Sequence, residues 1–559
     1  MVICEYLVSR DYMESQNSNS NLDWMIHWSL VGHHPRNTQI KLINKINFAI
    51  GEGYKNIILE AGTGIGKSAI ATTLANMCED SYILTMTKQL QEQYLDDFGD
   101  MLVEIKGKGN YECNYKGNCD FCIKSEYNLA KCRDCPFQIA FKKAKKSKNV
   151  ITNYDFMYRV GVDNGMLDPR QLLILDEAHN LERKMLMLSS HELNREYIST
   201  KFGIDIFEAL MKGEKSYSHI KSNSEYWVGV CEKLMDLCRE QIKKIEGTGK
   251  DVQVTLDEFE NNPSKYSDVD YVEKQILEGD LQSFNSIRLG LGSSDLIIDL
   301  PKYNLIKDNK MDISAEFKPY SVSDATQNLL GFGETRIFLT GTLGDMQKFC
   351  QWNNINPDNT YYIYEKSPFD VSNRPIYRDF VGNMSGTRNG VPNWKNKKAI
   401  LKIKEIINKY PNQKGVIHTS SNEQAFWIIK NLKEYDLLFV GGESRNEVLK
   451  EFNERMDNPI IIGASIKDGV DLKGDLCRFQ IIFKVPYPQL NEQVKYRKSL
   501  DNSWYFYQAV MAMMQAYGRG IRDNEDYCDM YIIDSNFKKL FDFNYNFFNE
   551  YFIEALKNK

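Results

Sequence analysis

At 559 residues the chain is longer than one hydrophobic core sustains, and 42% apolar with 26% charged side chains is the balance of a multi-domain globular protein. A net charge of −6 excludes bulk attraction to nucleic acid, so any contact with a phosphate backbone has to come from local patches. The apolar runs beside the motifs, such as Leu172–Leu175 and Ile460–Ile462, are strand-sized and far short of the roughly 18 residues of a bilayer-spanning helix. Met1-Val2-Ile3-Cys4-Glu5 opens no secretory signal, so a soluble, intracellular, reducing setting is expected.

The first 32 residues, with the polar run Ser15–Asn21, carry no motif. Arg36-Asn37-Thr38-Gln39 then offers an amide able to pair with adenine, or equally a glutamine on an amphipathic helix surface. Asn56–Glu60 reads as a buried strand that runs into Ala61-Gly62-Thr63-Gly64-Ile65-Gly66-Lys67-Ser68 and a helical stretch to Met77. Strand, glycine-rich loop and helix in that order make a phosphate cradle. Backbone N–H groups turn to the anion, Lys67 reaches the β- and γ-phosphates, and the Ser68 hydroxyl is suited to Mg²⁺. Ala61 stands where the strict pattern has glycine.

Twelve cysteines are present, and five of them form Cys113-x5-Cys119-x2-Cys122-x9-Cys132-x2-Cys135. Paired CxxC spacing in a reducing compartment indicates a metal centre rather than disulfides, and by spacing alone zinc and an iron–sulfur cluster both fit. The following Phe141–Lys148 is a local basic run suited to a phosphate backbone, or a solvated helix face.

Leu172–Leu175 ends in Asp176-Glu177-Ala178-His179, which places two carboxylates at the C-terminal end of a buried strand, the edge where ligands gather in parallel sheets. Asp176 is suited to Mg²⁺ and Glu177 to the attacking water. After an insertion of mixed charge with helical stretches such as Tyr226–Ile245 comes Thr340-Gly341-Thr342-Leu343. Asp251–Asp270 reads as a solvated, acidic link.

Alternating strand-like and helical segments resume after residue 400, with apolar runs at Val416–His418, Leu437–Val440, Ile460–Ile462, Ile481–Phe483 and Tyr531–Ile533. This second parallel-sheet lobe has no phosphate loop. It carries Lys467-Asp468-Gly469-Val470-Asp471 and Gln515-Ala516-Tyr517-Gly518-Arg519-Gly520-Ile521-Arg522. The latter reads as a helix with Arg519 and Arg522 on one face, able to meet the phosphates when the lobes close. The aromatic tail Phe541–Phe552 is expected to pack on this lobe.

Together these segments resemble the superfamily 2 helicases of the XPD/DinG-like type over about residues 33 to 540. Arg36 and Gln39 match the adenine-side motif, Glu60–Ser68 the phosphate loop, Thr85–Gln93 the strand-contacting motif and Asp176–His179 the DEAH box. Thr340–Leu343 stands for the family's Ser-Ala-Thr-Leu, Gly415–Ser421 and Gln515–Arg522 match second-lobe motifs, and Asp468–Asp471 replaces Glu-Gly-Val-Asp.

The resemblance implies an α/β fold of two RecA-like parallel-sheet motor lobes. The first lobe would span 33–344, interrupted by a cysteine-rich cluster domain at 101–150 and a mainly helical arch-like insertion at 182–327. The second would span 345–559, with 1–32 as an N-terminal segment. It further implies ATP, Mg²⁺ and a [4Fe–4S] cluster, held by Cys113 and Cys135 with two of Cys119, Cys122 and Cys132; zinc is the alternative. The implied nucleotide-binding set is Arg36, Gln39, Ala61–Ser68 and Gln515, and the catalytic set is Lys67, Asp176, Glu177, Arg519 and Arg522. The implied activity is 5′ to 3′ translocation on single-stranded DNA with unwinding at duplex junctions, RNA being a second candidate strand. The residues themselves also fit a DNA-stimulated ATPase clamp without strand separation.

Overall fold

The computed structural model describes Trp28 and residues 34–112, 135–245, 268–442, 444–464, 466, 472, 474–521 and 525–557. Its first lobe is built on strands β1 (Asn56–Ala61), β2 (Ser81–Thr85), β3 (Val103–Glu104), β4 (Asn149–Asn153) and β5 (Arg170–Leu175), which form a parallel sheet with two later strands. Every residue of β1 and β2 is buried, as expected where helices cover both faces. Successive side chains leave a strand on opposite faces, so Ile57 and Leu59 join one core while Ile58 joins the other.

Between β5 and the rest of this sheet, the insertion folds around its own core of Trp227, Phe207, Leu234, Phe284 and Phe317. Its long helices Ser224–Ile245 and Asp268–Gly292 pack on one another. Beside them lies a small antiparallel sheet of β6 (His191–Asn194), β7 (Leu296–Asp299) and β8 (Ser314–Pro319), in the order β6-β8-β7. The expected insertion was mainly helical; the sheet is an addition. Its strands are short and interrupted by charges, which leaves little period-2 signal.

The chain returns to the first sheet through β9 (Gly333–Thr340) and β10 (Thr360–Glu365), giving the order β10-β1-β9-β5-β2-β4-β3. β10 runs parallel to all of β1, from Asn56 opposite Thr360 to Ala61 opposite Glu365. A boundary at 344 therefore passes through one sheet, and the first lobe extends past it. The sequence hides this strand because Thr-Tyr-Tyr-Ile-Tyr-Glu is tyrosine-rich and carries no motif.

The second lobe's sheet is also parallel and takes β11 (Ile376–Tyr377). After a short hairpin of β12 (Thr387–Arg388) and β13 (Val391–Pro392) come β14 (Gly415–His418), β15 (Leu437–Phe439), β16 (Ile460–Gly463), β17 (Phe479–Ile482) and β18 (Asp529–Ile532). The strand order is β11-β18-β17-β14-β16-β15. Phe547, Phe548 and Phe552 of the tail sit in this lobe's core, as the sequence indicated. Among the described residues no helix is long and apolar enough to cross a membrane.

The lobes and the insertion meet along one seam. Glu182, just after the acidic motif, is paired with Arg497 and accepts the Trp504 indole N–H at 2.9 Å. Tyr507 donates to Leu343 O at 2.7 Å. The insertion reaches the same helix pair through Lys221–Glu492 at 2.8 Å and the edge-on rings of Tyr320 and Tyr496 at 4.5 Å.

Candidate active site between the lobes

β1 delivers the chain into the loop Ala61–Gly66, and the helix Lys67–Met77 starts at Lys67. Gly64 and Gly66 adopt φ of 86° and 85°, a left-handed conformation that β-carbon-bearing residues avoid. Crowding reinforces the requirement. A β-carbon on Gly64 would lie 2.4 Å from the Phe369 ring, and one on Gly66 would lie 2.4 Å from Gln39 Nε2.

Lys67 Nζ donates to Ala61 O at 3.0 Å, folding the lysine back over its own loop. Arg36 Nη1 donates to Gly64 O at 2.6 Å and Gln39 Nε2 to Ile65 O at 2.9 Å, while Gln39 Oε1 accepts from Arg36 N at 2.8 Å. Arg36 and Gln39, expected beside adenine, thus clasp the carbonyl side of the phosphate loop.

The acidic motif follows β5. Asp176 Oδ1 accepts from Glu177 N at 2.8 Å and Oδ2 accepts from the Tyr94 hydroxyl at 3.0 Å. Burial, reinforced by the Glu177 charge and opposed by Lys67, pushes its carboxyl up to about 6. Glu177 has φ of 51°, a costly conformation for a non-glycine residue that lifts its side chain out of the strand line. His179 Nδ1 stands 2.9 Å from Thr340 Oγ1 and 3.4 Å from Glu177 Oε2, so the Thr340 segment contacts the acidic motif directly.

Tyr94 is a site residue the motif reading missed. Its phenol is fully buried, and it hydrogen-bonds both Ser68 and Asp176. Burial first, then the Asp176 charge, raise its pKa well above the ordinary tyrosine value. The available signal was its place on the helix Lys88–Phe98, four residues before Phe98 on the face that packs on the sheet.

The second lobe approaches through two segments. The helix Asn502–Tyr517 ends at Tyr517 with Gly518 as its cap, so Arg519 lies in a turn. This corrects the expected helix through Arg522. Gly518 and Gly520 disfavour continuation, and a β-carbon on Gly520 would meet Cys528 Sγ at 2.5 Å. A β-carbon on Gly518 would lie 3.8 Å from Thr63 Oγ1, so this turn abuts the phosphate loop. The other segment is the strap after β10: Ser367 Oγ donates to Thr63 O at 2.9 Å and Phe369 lies on Gly64. Gln515 instead lines an adjoining cleft of about 320 Å³ with His179, Arg183, Thr419 and Tyr487. Arg522 and Asp468–Asp471 lie outside the described residues.

Two family models match this chain: "Type III restriction enzyme, res subunit" over residues 32–210 and "Helicase C-terminal domain" over residues 403–549. The ATP-dependent DNA helicase YoaA of Haemophilus influenzae is 21% identical, with 95% of this chain and 96% of the relative covered. Among solved structures, one titled "XPD_Helicase" superposes with a TM-score of 0.61 at 16% identity, covering 92% of this chain and 98% of its own. S. tokodaii Xpd4 gives 0.54 at 14% identity, covering 93% and 99%. These matches support an ATP-hydrolysing helicase, and the XPD structures share its fold.

The cysteine interval opens after Glu112 and closes at Cys135. Cys113, Cys119, Cys122 and Cys132 lie outside the described residues. Cys135 is buried as the N-cap of the helix Pro136–Lys146, and the Tyr111 ring meets Phe137 edge-on at 5.7 Å. The two ends of the interval are therefore held side by side, as a thiolate-bound group at the base of a loop requires. That arrangement fits a four-cysteine cluster and a zinc ribbon alike. On the same helix Phe137, Phe141 and Ala144 face the core, leaving Lys142, Lys143, Lys145 and Lys146 exposed together.

Proposed function

We propose that this protein is an ATP-dependent DNA helicase that moves along single-stranded DNA inside the cell and separates strands at duplex junctions, in the 5′ to 3′ sense its family resemblance implies. The observation that carries the reading is the meeting at Thr63: the phosphate loop of one lobe abuts the Gly518 turn of the other and is held by Ser367 on the strap that joins the two lobes. A site completed only by closure of two lobes is the arrangement that converts hydrolysis into relative movement.

In this reading Lys67 and the amides of Gly62–Gly66 hold the β- and γ-phosphates. Ser68 and Asp176, oxygen donors bridged by the Tyr94 phenol, are the donor set a hard cation takes, and they would hold Mg²⁺. When bound, the ion neutralises charge on the phosphate oxygens. Glu177 orients water for in-line attack on the γ-phosphorus and receives its proton as the bond to the bridging oxygen breaks, releasing ADP and phosphate. Arg519 and Arg522 complete the site from the second lobe, and Gln515, Arg36 and Gln39 keep it in register. In this reading Cys113 and Cys135 are the outer ligands of a [4Fe–4S] cluster, with two of Cys119, Cys122 and Cys132 between them. The cluster would staple the 101–150 domain, and the 182–327 insertion would serve as an arch beside it.

The test pairs DNA-stimulated ATP hydrolysis with release of a labelled strand from partial duplexes bearing a 5′ or a 3′ overhang. Release from the 5′-overhang substrate alone supports the reading. DNA-stimulated hydrolysis with no release on either substrate would reduce the protein to an ATP-switched clamp.

A further inference from the structure

Arg374 lies on the strap that joins β10 to β11, and only 1% of its surface is exposed. A guanidinium removed from water is tolerated only when its donors are satisfied and its charge is balanced. Here Nε donates to Phe369 O at 3.1 Å, and Nη1 donates to the Tyr517 hydroxyl at 2.9 Å and to Tyr551 O at 2.5 Å. Nη2 is paired with the Glu554 carboxylate, and the guanidinium lies over the Tyr551 ring at 3.5 Å from its centroid. The Tyr517 hydroxyl in turn donates to Arg374 O at 2.8 Å.

One side chain thus joins three segments that are remote in sequence: the strap, the last residue of the helix Asn502–Tyr517 and the C-terminal tail. Two of them, the strap between the lobes and the second-lobe helix end, meet the phosphate loop. The strap does so through Ser367 on Thr63 and Phe369 on Gly64, and the helix end through Gly518, the neighbour of Tyr517. Arg519 follows at once.

We propose that Arg374 is a positioning residue for ATP hydrolysis: by locking the strap to Tyr517 it sets where the Gly518–Arg519 turn stands relative to the phosphate loop. The inference rests on the reading that this loop binds and hydrolyses ATP. Among the described residues the hydrogen bonds and ion pair of the Arg374 side chain go to Phe369, Tyr517, Tyr551 and Glu554, whereas Lys67, Ser68, Gln39 and Asp176 belong to the first lobe. Its loss therefore acts on turnover and spares nucleotide binding.

The experiment compares wild type, Arg374→Gln, Arg374→Lys and Tyr517→Phe for kcat and KM in DNA-stimulated hydrolysis. ADP affinity is measured by calorimetry and folding by thermal melting. Arg374→Gln is expected to lower kcat by about tenfold to a hundredfold, the size of effect that small misplacement of a catalytic group produces, with ADP affinity within about threefold. Lysine keeps the charge opposite Glu554 but not the planar fork, so Arg374→Lys falls between wild type and Arg374→Gln. Tyr517→Phe removes a single hydroxyl and is expected to lower kcat by about threefold to tenfold, the reach of one hydrogen bond.

A kcat within twofold of wild type in the folded variants, or ADP affinity falling in step with kcat, overturns the proposal. If Arg374→Gln does not fold, Tyr517→Phe decides alone. Failure of the underlying reading looks different: wild type would not hydrolyse ATP, or Lys67→Ala would hydrolyse it at the wild-type rate.

Discussion

Removing the Tyr94 hydroxyl shifts the acid limb of hydrolysis upward by an amount the site geometry sets. Asp176 is buried, and its carboxyl is pushed up to about 6 by burial and by Glu177. The sign follows from the direction of that shift. A carboxyl raised above its free value stays protonated until the pH climbs through the raised value, so the form able to hold Mg²⁺ is lost as pH falls through about 6. Because kcat/KM reports ionisations of the free enzyme, its profile against pH should show an acid limb near that value. The Tyr94 hydroxyl, 3.0 Å from Oδ2, opposes the shift by donating to the carboxylate. A hydrogen bond to a charged group contributes about 1.5–3 kcal/mol, and one pKa unit is about 1.4 kcal/mol, so Tyr94→Phe should move the limb up by about one to two units. Initial rates at subsaturating Mg·ATP from pH 5 to 9 at constant ionic strength give the profile. A wild-type limb below pH 5, or a Tyr94→Phe profile superimposable on wild type, would refute the reasoning.

Lys67→Ala should abolish hydrolysis, by about a hundredfold or more for loss of a cation on the transferring phosphate, while the melting temperature stays near wild type because the hydrogen bond from Lys67 Nζ goes to a loop carbonyl within its own segment. Glu182→Ala strips the paired Arg497 of its carboxylate inside the lobe seam, and breaking a buried pair in this way costs about 3–5 kcal/mol; chemical denaturation measures it, and a cost below about 1 kcal/mol would show the seam to be wet. Anaerobically purified protein should carry about four iron and four sulfide per chain with broad absorption near 400 nm. Stoichiometric zinc in a colourless protein would leave the lobes as they are and replace the cluster by a zinc ribbon.

Legibility in the sequence followed chain distance. The strand, loop and helix around Lys67, and the strand ending at Asp176, are contiguous segments whose apolar runs and glycines state their geometry locally, and both stand where they were expected. The second lobe's strands were legible for the same reason: Ile460–Ile462 is fully buried within β16. The boundary at 344 failed because β10 belongs to the first sheet through pairing with β1, a long-range fact that Tyr361, Tyr362 and Tyr364 do not announce. The helix expected through Arg522 failed at Gly518, where local propensity outweighed the motif's continuity.

The residues that were missed share one property: each acts across the fold rather than along the chain. Tyr94 sits on a helix that otherwise reads as ordinary amphipathic packing, and only the tertiary fold sets its phenol between Ser68 and Asp176. Ser367 and Arg374 belong to a segment with no phosphate-binding pattern, yet one holds Thr63 and the other holds the helix end beside it. A motor with its nucleotide between two lobes must place such residues far from the phosphate loop in sequence, because the loop's own neighbours move with it and cannot report closure. The phosphate loop and the acidic segment are therefore legible as short motifs, while the side chains that join them to the rest of the fold become visible only once the two sheets are set against each other.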